Sequence, residues 1–198
     1  MTMTTIVLKP HKDESARRFH PWIFSGAIAK IQFDKDYPFD APQEGELVVV
    51  QSHSGEILGV GHYQIGSIAV RILAFGISQL PNRFWQDSIG AAYRMRESVG
   101  LVRPDNNTYR LIHGEGDFLP GLIVDKFSDI LVIQSMSLGI EQWKKDIVEI
   151  LVDVVKPRGI YERNDVPVRR LEGMEQTTGL LWGEVPDFVP MTENGILY

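Results

Sequence analysis

No cysteine occurs among the 198 residues. Disulfides, thiolate metal sites and a cysteine nucleophile are therefore excluded from this chain. Long apolar runs are missing too, since none approaches the roughly 18 residues that a membrane-spanning helix needs. The opening residues, MTMTTIVLKPHKDE, have no apolar core behind a basic start. That argues against a secretory signal and fits a cytoplasmic protein with no membrane partner. Glycine-rich strand-to-helix turns of the phosphate- or dinucleotide-binding kind are absent as well. His11, His20, His53, His62 and His113 share no ligand spacing, so no metal site is expected.

What remains has the composition of an ordinary globular protein, 43% hydrophobic and 23% charged. The net charge is −6, but its distribution is uneven. Residues 1–31 carry Lys9, Lys12, Arg17, Arg18 and Lys30 against only Asp13 and Glu14. Residues 32–57 carry Lys35 against Asp34, Asp36, Asp40, Glu44, Glu46 and Glu56. A chain of this balance does not coat nucleic acid indiscriminately, because phosphate contacts need local positive charge. The basic N-terminal segment is the place where such charge collects.

The first 75 residues read as short strands: Thr5–Leu8, Trp22–Ile31, Glu46–Gln51, Ile57–Tyr63 and Ser67–Ala74. Short strands with regular turn signals predict a small barrel over residues 1–76. The paired glycines of GVGHY mark a bulge or a close backbone approach. At about Ser78 the apolar period changes from 2 toward 3.6, predicting a linking helix within 77–100 that starts near Pro81 and stops at Gly100. Residues 101–190 predict an α+β sandwich of strand, strand, helix, strand, strand. Its helix places Ile140, Trp143, Ile147, Ile150, Leu151 and Val154 on one face. GIYERN, VRRLEG and GLLWGE read as strands after it. Asn194-Gly195 signals a tight hairpin turn, and the apolar Ile196–Tyr198 after it reads as the lead-in to a further domain. The fold class expected is mixed α+β, a small β-barrel followed by that sandwich.

Two stretches invite chemistry. HGEGDFLPG gathers His113, Glu115 and Asp117 within five residues, but a Gly- and Asp-rich loop between strands is first of all a turn. RRFHPWIFSGAI is the more distinctive. Trp22 and Phe24 share one parity of a strand, and core anchoring is the reading favoured for them. The competing reading sets Arg17, Arg18 and His20 on RNA phosphates beside an aromatic platform.

Four ordered blocks carry a resemblance: KPHKDESARRFHPWIFSGAI, EGELVVVQSHSGEILGVGHYQIGSIAVRIL, YRLIHGEGDFLPGLIVDKF and GIYERNDVPVRRLEGMEQTTGLLWGE. Together they resemble the RlmI-like large-subunit rRNA methyltransferases, enzymes that use S-adenosylmethionine to make 5-methylcytosine. The resemblance implies a PUA domain over the first 75 residues and a central α+β domain after it. It also implies a third, catalytic domain that would begin at about residues 191–198 and whose cofactor loop and catalytic cysteine have no counterpart here. Cytosine C5 methylation needs a nucleophile at C6, in that family a cysteine, so this chain by itself is expected to be inactive and to bind no cofactor. S-adenosylmethionine is implied only for a full-length parent. The implied partner is ribosomal RNA, with Lys9, Lys12, Arg17, Arg18, His20 and Arg71 as candidate contacts. A stand-alone RNA-binding or scaffold module with no enzymatic parent is the alternative, and the oligomeric state, a dimer included, stays open.

Overall fold

A computed structural model describes residues 3–33 and 35–198. The chain divides into two compact units, residues 1–82 and 83–198. The fold is mixed α+β, as the sequence predicts.

The first unit is a curled six-stranded sheet built from β1 (Thr5–Leu8), β2 (Trp22–Phe24), β3 (Ile28–Gln32), β4 (Leu47–Gln51), β5 (Ile57–Tyr63) and β6 (Ile68–Phe75). A one-turn helix, α1 (Glu14–Arg17), lies between β1 and β2, and a 3₁₀ turn at Ser25–Ala27 joins β2 to β3. The spatial order is β2-β6-β5-β4-β1-β3, with β1 and β4 parallel and the other pairs antiparallel. Alternation decides the interior: Ile6, Leu8, Ile23, Val48, Val50, Val70 and Ile72 form the core cluster. Gly61 sits where the β5–β6 register shifts, and a Cβ there would lie 2.1 Å from the Arg71 carbonyl oxygen. The close backbone approach expected of GVGHY is therefore present, and no larger residue fits without moving a strand.

In the second unit, α2 (Phe84–Ser98) precedes β7 (Thr108–His113), β8 (Leu122–Phe127) and β9 (Ile130–Ser135). Then come α3 (Leu138–Val155), β10 (Gly159–Arg163), α4 (Val168–Leu171) and β11 (Thr178–Gly183). The sheet order is β11-β10-β9-β8-β7. β9 and β10 are parallel, as strands joined through the crossover helix α3 can be. α2 packs on α3 and β7, and the Trp85 and Trp143 rings meet with centroids 5.5 Å apart. The Ser137 hydroxyl caps α3 by accepting the Ile140 N–H. Lys156 ends the helix in the left-handed conformation, with φ 53°. Three strands rather than two precede α3.

VRRLEG corrects the expected strand, because Pro167 starts the short helix α4 there. The reason is Arg169, which is 2% exposed. Its guanidinium donates to the Ser135 carbonyl oxygen (2.6 Å), to the Ser135 hydroxyl (3.0 Å) and to Glu141 (2.9 Å). A strand continuing β10 could not turn that side chain back into the unit, whereas one helical turn does. Leu171 of the same motif is left 87% exposed.

The terminal hairpin consists of β12 (Thr192–Glu193) and β13 (Ile196–Leu197). Asn194 and Gly195 between them both have positive φ (51° and 81°), as the Asn-Gly pair predicts. Backbone bonds hold it to the 105–107 segment, Asn107 N–H to Thr192 O at 2.9 Å and Gly195 N–H to Asp105 O at 2.8 Å. Among the described residues, no helix is long and apolar enough to cross a membrane.

Candidate nucleic-acid interface

The basic residues of the N-terminal segment are gathered by a compressed connection between β1 and β2. His11 (φ 58°) and Phe19 (φ 62°) are left-handed at its two ends, a conformation that non-glycine residues rarely adopt. Between them α1 buries Ala16 against the core and leaves Arg17 exposed, with Lys12 before it and Arg18 at its end exposed as well. Lys9, Lys12, Arg17, Arg18 and His20 are all exposed.

They are not equivalent. Arg17 is engaged by two carboxylates, with Nε on Asp13 at 2.7 Å and Nη1 and Nη2 on Glu56 at 3.1 and 2.6 Å. Hydrogen bonding to Glu56, then to Asp13, holds the guanidinium above its ordinary range, and Arg17 in turn holds both carboxyls below theirs. Its donors and charge are spent within the unit. Lys9 donates to the Gly26 carbonyl oxygen at 2.9 Å and ties α1's approach to the 3₁₀ turn. Lys12 and Arg18 form no ion pair among the described residues, so their charge faces solvent uncompensated.

Arg71 departs from the set. It is 9% exposed and donates to the buried side-chain oxygen of Gln64, so it offers no surface for a phosphate. It lies opposite Trp22 in the β2–β6 pairing and opposite His62 in the β5–β6 pairing. Burial, then the nearby Arg71 charge, pushes His62 down to about 4.

The expected core role of Trp22 and Phe24 is corrected by the parity of β2. Ile23 is the buried residue, at 1% exposure, while Trp22 is half-buried and Phe24 is 50% exposed. His20, Trp22 and Phe24 form an edge-to-face ladder, with centroids 5.6 and 6.4 Å apart and interplanar angles of 85° and 88°. The outward aromatics thus stand next to the outward cations.

In the second unit the acidic groups of HGEGDFLPG serve the fold. Asp117 makes a two-pronged ion pair with Arg96 of α2, including Nη2 to Oδ2 at 2.8 Å, and accepts the His113 N–H at 2.6 Å. Glu141, Lys144, Glu162, Asn164, Ser135 and Arg169 form a second buried or half-buried network. Burial pushes the Glu141 carboxyl up, but bonds from Lys144, Ser135 and Arg169 outweigh it and bring it down to about 2. The sequence carries no local signal for this network, because its members are spread from Ser135 to Arg169. Among the described residues, no group of three or more His, Asp or Glu side chains is placed to hold a metal ion.

Residues 6–75 match the family model of the PUA-like domain. Ribosomal RNA large subunit methyltransferase I of Photobacterium profundum is 39% identical over 196 residues, covering 98% of this chain and 48% of that protein. The protein of the same name from Vibrio vulnificus is 37% identical over 193 residues, covering 96% of this chain and 47% of its own length. The resemblance read from the four sequence blocks is borne out along nearly the whole chain, which spans about half the length of the curated relatives it matches. Among solved structures, a candidate SAM-dependent methyltransferase from Streptococcus mutans superposes with a TM-score of 0.75 at 18% identity, over 98% of this chain and 47% of that one. A second candidate methyltransferase, solved in complex with SAH, gives a TM-score of 0.76 at the same identity and coverage. At that identity the likeness concerns the fold.

Proposed function

We propose that this chain is the RNA-recognition portion of a SAM-dependent 23S rRNA 5-methylcytosine methyltransferase, gripping ribosomal RNA through its PUA-like unit. The observation that carries the reading is the exposed face on which Lys12, Arg18 and His20 stand beside Trp22 and Phe24. The names of the relatives supply the substrate class and the methyl donor. Methyl transfer to cytosine C5 is assigned elsewhere than to these residues, because the thiolate that would add at C6 is not encoded here. S-adenosylmethionine accordingly belongs to the parent activity rather than to this chain. On this reading the second unit, fastened by its buried networks, serves as a rigid spacer.

The contacts proposed are Lys9, Lys12, Arg18 and His20, with Arg17 holding α1 in place through Asp13 and Glu56. Arg71 is left out because it is buried. The test is an anisotropy titration of labelled 23S rRNA fragments with the wild type and the double variant Lys12→Glu/Arg18→Glu. Affinity should fall by about tenfold or more, and the slope of log K against log salt should flatten by about 2. Unchanged affinity and slope would place the RNA on another surface.

A further inference from the structure

A second group of rings stands on the connection between β3 and β4. β3 and β2, the strand of Trp22, are the two ends of the first unit's strand order. Phe33 stacks on Tyr37, with centroids 4.9 Å apart and an interplanar angle of 17°. Phe39 meets Tyr37 edge to face at 5.8 Å and 73°. The base of the group is clamped, because Glu46 accepts the Tyr37 hydroxyl, the Thr4 hydroxyl at 2.9 Å and the Gln43 N–H at 2.9 Å. Pro38 and Pro42 restrict the chain between Tyr37 and Gln43. Phe33 and Phe39 are nevertheless 37% and 52% exposed. Beside them the side chains of Asp36 and Asp40 are exposed and form no hydrogen bond or ion pair among the described residues.

We infer that this aromatic surface docks an arginine-bearing basic segment of a protein partner, a guanidinium lying on Phe39 while Asp36 and Asp40 pair with its charge. Rings and carboxylates together select that chemistry. An edge contact covers at most one face of Phe39 and a stack one face of Phe33, so exposed ring surface is left for a ligand. The face of an aromatic ring attracts a cation. A nucleic-acid base stacked in the same place would bring its phosphate against two unpaired carboxylates. A purely apolar segment would take water from those carboxylates and return no hydrogen bond. Arginine satisfies both halves, because its planar, weakly hydrated guanidinium stacks on rings and presents a fork of donors to a carboxylate. The wider field has the same sign, since residues 32–57 carry Lys35 against six acidic groups. What docks here is independent of what the face on β2 binds.

The probe is a short labelled Arg-Gly repeat peptide, compared by anisotropy at physiological salt with Lys-Gly and Glu-Gly peptides of equal length. The wild type should bind the arginine peptide most tightly and the glutamate peptide not at all. Phe39→Ala should weaken the arginine peptide by about 2- to 5-fold, the loss of one exposed cation–π contact, and narrow its advantage over lysine. Phe39→Tyr should restore both. Asp36→Asn/Asp40→Asn should weaken it by about 2- to 30-fold, the loss of two exposed ion pairs. The affinity for a 23S rRNA fragment should stay within about twofold throughout, because phosphate contacts need positive charge. Phe39, Asp36 and Asp40 are exposed, so the variants keep the fold, which far-UV circular dichroism verifies. If arginine and lysine peptides bind alike and Phe39→Ala changes neither, the attraction is bulk charge and the inference is overturned. It is overturned as well if the wild type binds no peptide, or if Phe39→Ala weakens the rRNA fragment, which would give the surface to RNA. Sedimentation that shows dimers for the wild type and monomers for Phe39→Ala would give it to a second copy and overturn the docking of a basic partner.

Discussion

Asp117→Asn is expected to destabilise the second unit by about 3–5 kcal/mol, the usual cost of stripping one partner from a buried ion pair. The side chains of Arg96 and Asp117 are only 8% and 3% exposed. Beyond the pair itself, Arg96 Nε donates to the Arg110 carbonyl oxygen at 3.0 Å. Asp117 accepts the His113 N–H, so a single carboxylate joins α2, the end of β7 and the 3₁₀ turn at Gly114–Asp117. Asparagine is nearly isosteric, but it removes the negative charge and aims an N–H₂ at guanidinium donors. The guanidinium is then buried without compensation. Denaturant unfolding followed by circular dichroism measures the loss. Replacing both partners, Arg96→Met with Asp117→Leu, should recover part of it, because no charge is left stranded. A single variant as stable as the wild type would mean that the pair does not hold the loop.

The second large effect is a loss of stability of the first unit in mild acid. An unfolded histidine titrates near 6.5, whereas His62 in the folded unit is pushed down to about 4. Between those values the unfolded chain binds a proton that the folded chain refuses, so stability falls as the pH drops from about 6.5 toward 4. A shift of that size corresponds to roughly 3 kcal/mol. Trp22 is the single tryptophan of residues 1–82. Its fluorotryptophan resonance therefore reports this unit separately from the second one, whose acid response is set by carboxylates such as Glu141. Denaturant midpoints taken at about pH 7 and pH 4.5 should separate widely in the wild type and much less in His62→Leu, which has nothing to protonate. Equal separation in the two proteins would contradict the assignment.

Strand and helix placement followed from period: β1 and β5 appear with the expected boundaries, and α3 buries Ile140, Ile147, Ile150 and Leu151 as its spacing requires. Parity within β2 was not legible. In a three-residue strand, either Ile23 alone or Trp22 and Phe24 together can face inward, and aromatic size favoured the wrong pair. Only the pairing of β2 with β6, which sets Ile23 beside the core residue Val70, decides it. Two buried arginines were not legible either: Arg71, expected as a surface contact, is buried with Gln64, and Arg169, in a segment expected as a strand, is buried with Ser135 and Glu141. Their partners come from other turns of the chain, and no local spacing announces them. Arg17 shows a subtler version, since its residue type pointed to phosphate while its neighbours Asp13 and Glu56 had already claimed it. The exposed set at the candidate interface is thus smaller than its sequence suggested, and it gained two rings that were expected in the core.

The most direct measurement maps the RNA on the protein itself. Amide resonances of the chain are followed as a 23S rRNA fragment with a single-stranded loop is added. Perturbations should concentrate at Lys12, Arg18, His20, Phe24 and Gly26, with the second unit nearly silent. Perturbations centred on the second unit, or spread evenly over both, would contradict recognition by the PUA-like unit.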